Sequence, residues 1–431
     1  MRNVIRFWML LGAAWGAVWA QPRTLPEVIR KAKQHAPQTA WDQSELRIRS
    51  AQLQQKQAYH KPQITAEGFL VPINDDLFLG NGLRRTAGAA LLVTQPLFQE
   101  GTWIWPPKSW PATPSVRAAE ANVQVARTDA QLNGFQVAMT TSHVFYDVWL
   151  NQELAALQTK HLGDQRAQLK QFLSLQQGGR LGLAEVAQQR ALVAQFRADS
   201  LDGVGKTEQA RLQLAQLSGI SVADVLALPD TTMGDARAEA GLRAQFEQQF
   251  PVFSLSETRD LADQWLLKEK QAANLPTIRL FARVGTNEVA GMPDDRNVLM
   301  GAQVSWALWD QGIRRNELRV VQAQAAQHQA DVTQKTRLYQ SEFETALAAW
   351  KRSRAKLPML SEEVAFRAIA LTAEQDRFTN GRGTLLALHQ AQIAWLSAQI
   401  RQTMGRYETA KWYWVCRMFG TPEFWNQATK E

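Results

Sequence analysis

The groups in this chain able to bind a metal, attack a carbonyl or shuttle a proton are six histidines, one cysteine and 40 carboxylates. The histidines stand at positions 35, 60, 143, 161, 328 and 389, and no two have the spacing that brings a pair of ligands onto one helix face. Cys416 lies in the apolar run Trp412–Met418, which suits packing more than reactivity. A lone thiol also excludes an internal disulfide framework and a thiolate zinc cluster. No Gly-rich phosphate loop occurs, and no serine sits in a nucleophile motif. The carboxylates fall on Ala/Gln-rich stretches, where a solvated helix face accounts for them. No catalytic group, metal or cofactor is expected, and the chain does not read as an enzyme.

Two other sets of residues have spacing that matters. Gly178-Gly179-Arg180-Leu181-Gly182 and Asn380-Gly381-Arg382-Gly383 each break a long helical pattern. Glycine there permits the backbone conformations that reverse a chain. Thr102 to Ser115 reads TWIWPPKSWPATPS, with Trp103, Trp105, Trp110 and four prolines that bar a regular helix. It is either a surface loop or an aromatic anchor at a membrane interface, a boundary that indole prefers.

The composition bounds what these residues can serve. The chain has 431 residues, enough for two or three domains, and 48 Lys+Arg against 40 Asp+Glu give a net +8 spread along its length. That mild balance is weak support for a nucleic-acid partner, and none is expected. With 45% hydrophobic and 20% charged residues, wholesale disorder is excluded. At the start, Arg2 and Arg6, the apolar run Phe7–Val18 and the small-residue end Val18-Trp19-Ala20 read as a secretory signal peptide over 1–20, cleaved before Gln21. The run is too short to span a bilayer, and no later stretch offers about twenty apolar residues. Nor does a cysteine open the mature chain to carry a lipid anchor. The expectation is a bacterial periplasmic or outer-membrane protein.

The elements that position these residues are written twice. At an offset of 214, Pro37 meets Pro251, Lys56-Gln57-Ala58 meets Lys270-Gln271-Ala272, and Pro62 meets Pro276. At 211, Val93, Leu97 and Gly101 meet Val304, Leu308 and Gly312; at 202, Gly179-Arg180 meets Gly381-Arg382. Two tandem repeats follow, 21–220 and 251–421, joined by a link at 221–250 and followed by a tail at 422–431. Each repeat opens with a helical segment stopped by proline, at 40–60 and 255–274. Two alternating stretches come next, 63–71 and 86–98 in the first repeat, 277–285 and 299–309 in the second. Ile278, Leu280, Ala282 and Val284 share one face, while Thr277, Arg279, Phe281 and Arg283 share the other, as in a membrane barrel strand. The links 72–85 and 286–297 are rich in Asn, Asp, Gly and Pro, as hairpin loops are.

Long helical patterns complete each repeat, about 115–218 and 312–419, broken at the glycine reversals. Val116, Val123, Ala130, Val137 and Val144 recur every seven residues, as do Leu318, Ala325, Val332, Tyr339 and Ala346. Such spacing makes a supercoiling seam. A helix from Val116 to Gln177 would be roughly 90 Å long. Pro358 is expected to kink or split its helix. Four strands cannot close a barrel, and an open edge in lipid leaves backbone groups unpaired at several kcal/mol each. If the strands are in a membrane, several copies must share one barrel.

This pattern resembles the TolC family of outer-membrane efflux proteins over nearly the whole mature chain. The residues that carry the resemblance are KPQITAEGFL with LLVTQPLFQEG, LPTIRLFARVG with AQVSWALWDQG, and the reversals GGRLGLAEVAQQR and RFTNGRGTLLALHQAQ. The resemblance implies a mainly α fold with a transmembrane β-barrel, four strands per protomer and twelve per homotrimer, above a long α-helical barrel. It implies a passive exit channel of a tripartite efflux or type I secretion system. Such a channel sits in outer-membrane lipid and extends into the periplasm, with a periplasmic adaptor and an inner-membrane transporter as partners. It places adaptor docking at Gly179, Arg180, Gly182, Leu183, Gly381, Arg382, Gly383 and Thr384, though these glycines also serve simply to turn the chain. The entrance gate falls near Glu185, Ala387, His389 and Gln390; Ala387 and Gln390 stand where members of the family carry an aspartate pair, which leaves a cation-binding ring without its carboxylates. Arg279 and Arg283 would make the barrel lumen locally positive, or form a plain solvated face. Trp103, Trp105 and Trp110 would be membrane-interface anchors. A periplasmic adaptor or coiled-coil scaffold is the alternative; it would carry a single hairpin flanked by β domains, against which the duplicated order argues.

Overall fold

The structure is a computed structural model that describes residues 22–73, 84–105, 112–224, 226–227, 229, 234–235, 237–287 and 296–425. The signal peptide expected at 1–20, the end of the tail at 426–431 and Trp110 lie outside the described residues. Helices α1 (Leu25–His35) and α2 (Pro37–Ala58) lead into strands β1 (Gln63–Ile73), β2 (Arg84–Gln99) and the short β3 (Thr102–Trp103). Then come α3 (Pro114–Gln177), α4 (Leu183–Ser218), α5 (Ala238–Gln249) and α6 (Pro251–Ala272). Strands β4 (Thr277–Asn287) and β5 (Arg296–Ser305) precede α7 (Ile313–Thr379) and α8 (Leu385–Phe419), and a 3₁₀ turn, Pro422–Phe424, follows. Helix α7 continues through Pro358, so the proline does not split it. Among the described residues, no helix is long and apolar enough to cross a membrane.

The chain forms two compact units. One takes the segments Gln131–Phe250, those up to Ala40 and those from Leu338; the other takes Trp41–Ala130 and Pro251–Arg337. The first unit is held by an aromatic core gathered from five stretches of chain. Phe135 meets Phe250 at 5.0 Å and Phe419 at 4.6 Å, Phe246 stacks on Phe343 at 4.4 Å, and Trp425 closes on Phe250 at 5.6 Å. Aromatic pairs in such geometries add about 0.5–1.5 kcal/mol each beyond burial. Lys33 is half-buried beside this core and donates from Nζ to the Phe424 carbonyl. Burial lowers its pKa from 10.5 to about 8. Cys416 is fully buried, and burial pushes its thiol up to about 12, so it packs and does not react.

The second unit contains the sheet and the helices beside it. Its helices are tied by Lys56 to Glu269 at 2.8 Å, Lys335 to Asp129 at 3.2 Å and His328 to Asp263 at 2.9 Å. A buried polar knot holds the start of α3. His60 Nε2 meets Thr113 Oγ1 at 3.2 Å, Thr113 meets Ser115 Oγ at 3.0 Å, and the Ser115 N–H donates to Glu100 Oε2 at 2.9 Å. Glu100 and Gly101 are both left-handed, with φ of 52° and 75°. They form the two-residue turn that folds β3 back onto β2, where Phe98 pairs with Trp103. The duplicated positions Gln311 and Gly312 are left-handed too, at 54° and 85°.

Candidate functional site

Two regions carry the residues singled out by sequence, one in each unit. The first is the sheet, ordered β1-β2-β4-β5 with antiparallel neighbours throughout. Register decides its faces, because residues directly opposite share a face. Ile64, Val93, Ala282 and Met300 lie in one cross-strand row, and Ala66, Leu91, Val284 and Val298 in the next but one. Leu280 and Ala302 continue that face, with Gln95 beside them at the helix end of β2, buried and donating to the His60 carbonyl at 3.1 Å. The two complete rows are apolar from strand to strand, and Ile64 (72%), Val298 (65%) and Met300 (75%) are largely exposed on them. The opposite face is mixed: Thr65, Leu92, Arg283 and Leu299 form one row, and Arg279 faces Gln303. Arg279 and Arg283 therefore both stand on the mixed side.

The strands are 11, 16, 11 and 10 residues long, against the nine to eleven or so needed to cross a bilayer. Among the described residues, the outer edges of β1 and β5 pair with nothing. Trp103 and Trp105 are 63% and 47% exposed just past β2. Trp306 and Trp309, 58% and 81% exposed, stand just past β5 and were not singled out by sequence. Alternation read Trp306 as an ordinary strand residue. The signal that could have found the pair is the strand's end, where two indoles flank Leu308.

The second region is the pair of reversals, and both turn out to be the same motif. The Gly179 N–H donates to Gln176 O at 3.0 Å and the Arg180 N–H to Leu175 O at 2.9 Å. The Gly381 N–H donates to Phe378 O at 3.1 Å and the Arg382 N–H to Arg377 O at 2.8 Å. This is the Schellman pattern, which satisfies the last carbonyls of a helix through a left-handed residue. Gly179 and Gly381 supply it, with φ of 71° and 70°. Gly383 serves close approach instead, since a Cβ there would stand 2.9 Å from the Phe378 nitrogen. Gly182 and Thr384 then cap α4 and α8, Thr384 Oγ1 accepting from the Ala387 N–H at 3.2 Å. Arg180, Arg382 and Thr384 are exposed, as are Leu183 and Gln390; Glu185 and Ala387 are half-exposed.

Beneath the reversals, Phe172, Val186, Leu371, Leu385 and Leu388 form an apolar cluster, with Phe172 and Phe378 rings 5.6 Å apart. A buried polar chain lies behind it. His389 Nε2 meets Gln189 Oε1 at 2.7 Å, and Gln189 Nε2 donates to Gln165 Oε1 at 2.9 Å. Gln165 donates to Gln392 at 3.1 Å, and Gln392 to Gln168 at 2.9 Å. Because the Gln189 amide nitrogen is donating, its oxygen accepts, and His389 carries its proton on Nε2. Burial holds the His389 pKa below the ordinary histidine value, which keeps the ring neutral. His389 is thus a buried link between α8 and α4. Among the described residues, no cluster of His, Cys, Asp or Glu could hold a metal ion.

Residues 263–411 match the family described as Outer membrane efflux protein. A comparison with curated proteins finds no match. The fold is similar to that of solved outer-membrane channels. OprN has a TM-score of 0.73 at 17% identity, with 93% of this chain and 90% of that one covered. VceC from Vibrio cholerae gives 0.75 at 15%, covering 92% and 96%. The open-state MtrE channel of Neisseria gonorrhoeae gives 0.71 at 16%, covering 93% and 89%.

Proposed function

We propose that this chain, whose residues 263–411 carry the outer membrane efflux protein domain and whose fold is that of outer-membrane channels, is the passive exit duct of a tripartite efflux or type I secretion system. The observation that carries the reading is the sheet: one face apolar across two complete rows, one mixed face, and two edges without a partner among the described residues. In lipid those edges must be paired, and a closed barrel needs about eight strands or more. Three copies supply twelve. The apolar face then meets lipid, and Arg279 and Arg283 face the lumen. Trp103, Trp105, Trp306 and Trp309 sit where strands give way to helices, a level that suits the interfacial belt.

The duct has no energy source in its own residues. An inner-membrane transporter drives cargo, and a periplasmic adaptor docks at the reversals around Gly179–Leu183 and Gly381–Thr384. The paired Schellman turns support that role, since they present rigid tips with exposed Arg180 and Arg382. Opening follows when a partner binds the open arrangement better than the closed one. Cell fractionation with heated and unheated gel samples tests the reading. The expected result is outer-membrane protein that runs as a trimer unheated and as a monomer after boiling. A water-soluble periplasmic monomer would overturn it and favour the scaffold alternative.

A further inference from the structure

The mixed face of the sheet holds two cations without a counter-charge. From Thr277 to Gly285 its charged members are Arg279, Arg283 and Glu67. Arg279 is exposed and Arg283 half-exposed, and neither forms an ion pair among the described residues. Across the strands, Arg283 stands opposite Leu92 and Leu299, and Arg279 opposite Pro96 and Gln303. A charged residue stabilises a sheet through an opposite charge directly across from it, and neither arginine has one. Glu67 lies on β1, one row beyond Arg283 and with β2 between them, so roughly 12 Å separates the two positions. Exposed charges that far apart are largely screened at physiological salt, where the Debye length is about 8 Å.

A second copy of the chain cannot place a carboxylate beside them through strand pairing. Strand β4 is an inner strand, flanked by β2 and β5 of its own chain. The open edges belong to β1 and β5, so a strand from another copy lies at least two strands away, about 10 Å. Pairing within the sheet therefore gives the arginines no structural work. Arg279 comes just past Pro276, where helix gives way to strand, and Arg283 is four residues farther along, about 14 Å up the same face. Uncompensated charges of one sign in a water-filled cleft with low-dielectric walls focus their field on what passes through it.

Resting on the exit-duct reading, we infer that the barrel favours anionic cargo. Three copies put their Arg279 and Arg283 side chains into one lumen as two cationic girdles about 14 Å apart. Rings of arginine or lysine select anions in other pores by the same electrostatics. Solutes that carry carboxylate, sulfonate or phosphate groups are drawn into the base of the barrel by the Arg279 girdle and handed on to the Arg283 girdle. Small cations are depleted along the same path. The preference acts on passage and adds to whatever choice the transporter has made.

The test is the reversal potential of purified trimers in planar bilayers of neutral lipid under a KCl gradient. Chloride should permeate better than potassium. R279Q combined with R283Q should bring the permeability ratio towards one, and R279K combined with R283K should preserve it, since charge alone is required. Titration of detergent-solubilised trimers with a trisulfonated pyrene dye reads the same charge without current. The wild type should bind the dye and release it as salt rises, and the double glutamine variant should bind it about tenfold more weakly. A potassium preference, or a chloride preference or dye affinity that the glutamine pair leaves unchanged, overturns the inference and leaves the duct reading standing. If the resting duct passes no current, the dye titration decides on the same terms. A wild-type chain that never forms outer-membrane trimers overturns the duct reading, and the anion preference falls with it.

Discussion

Gly179 and Gly383 look alike in sequence and do different work. Gly179 is left-handed with nothing within 4 Å of a Cβ, so Gly179→Ala should cost only the backbone term, about 1–2 kcal/mol. At Gly383 the added carbon would press on the Arg377–Phe378 peptide bond, 2.9 Å from Phe378 N and 3.1 Å from Arg377 C, so Gly383→Ala should cost more. Urea unfolding of the two variants in detergent checks the order. Lys33 gives a pH prediction. Its folded pKa is about 8 against 10.5 for a free lysine, so the unfolded chain holds the proton more tightly between those values. Stability should therefore rise from pH 8 to 10.5, and the penalty should be fully present below 8. Melting curves across that range should show a slope for the wild type that Lys33→Met lacks. The glycines were legible because their conformational freedom is a property of the residue. The role of His389 was not, because its partner Gln189 is 200 positions away and looks like any glutamine on a polar helix.

Strand faces follow from alternation, and register confirms which residues share them. Val284 lies on the apolar face and Arg283 on the mixed one. Val284→Arg should therefore cost up to about 2–4 kcal/mol if it sits at mid-membrane depth, and Arg283→Val little. The yield of unheated trimer measures both. Helix seams are a harder case. Seven-residue spacing found Val116, Val123 and Ala130, which are buried, but it does not say which of two seams on a helix is filled. The aromatic core was not legible at all. Phe135, Phe246, Phe343 and Phe419 come from four helices, and nothing local marks them as neighbours.

At the level of the whole molecule, duplication explains why both ends of the sheet are open. The first repeat supplies one outer strand, β1, and the second supplies the other, β5. The order of elements was readable from the tandem matches, whereas the way the chain divides between two units was not, since each unit draws on both repeats. The unpaired margins of β1 and β5 have a consequence for biogenesis. On the proposed exit-duct reading, a chain has no way to enter lipid by itself without stranding peptide groups, so its arrival in the bilayer must coincide with encounter of two more chains. The appearance of membrane-embedded protein should rise more steeply than linearly with the supply of polypeptide. Pulse-labelling at graded expression levels would show this as a lag that shortens sharply as synthesis increases.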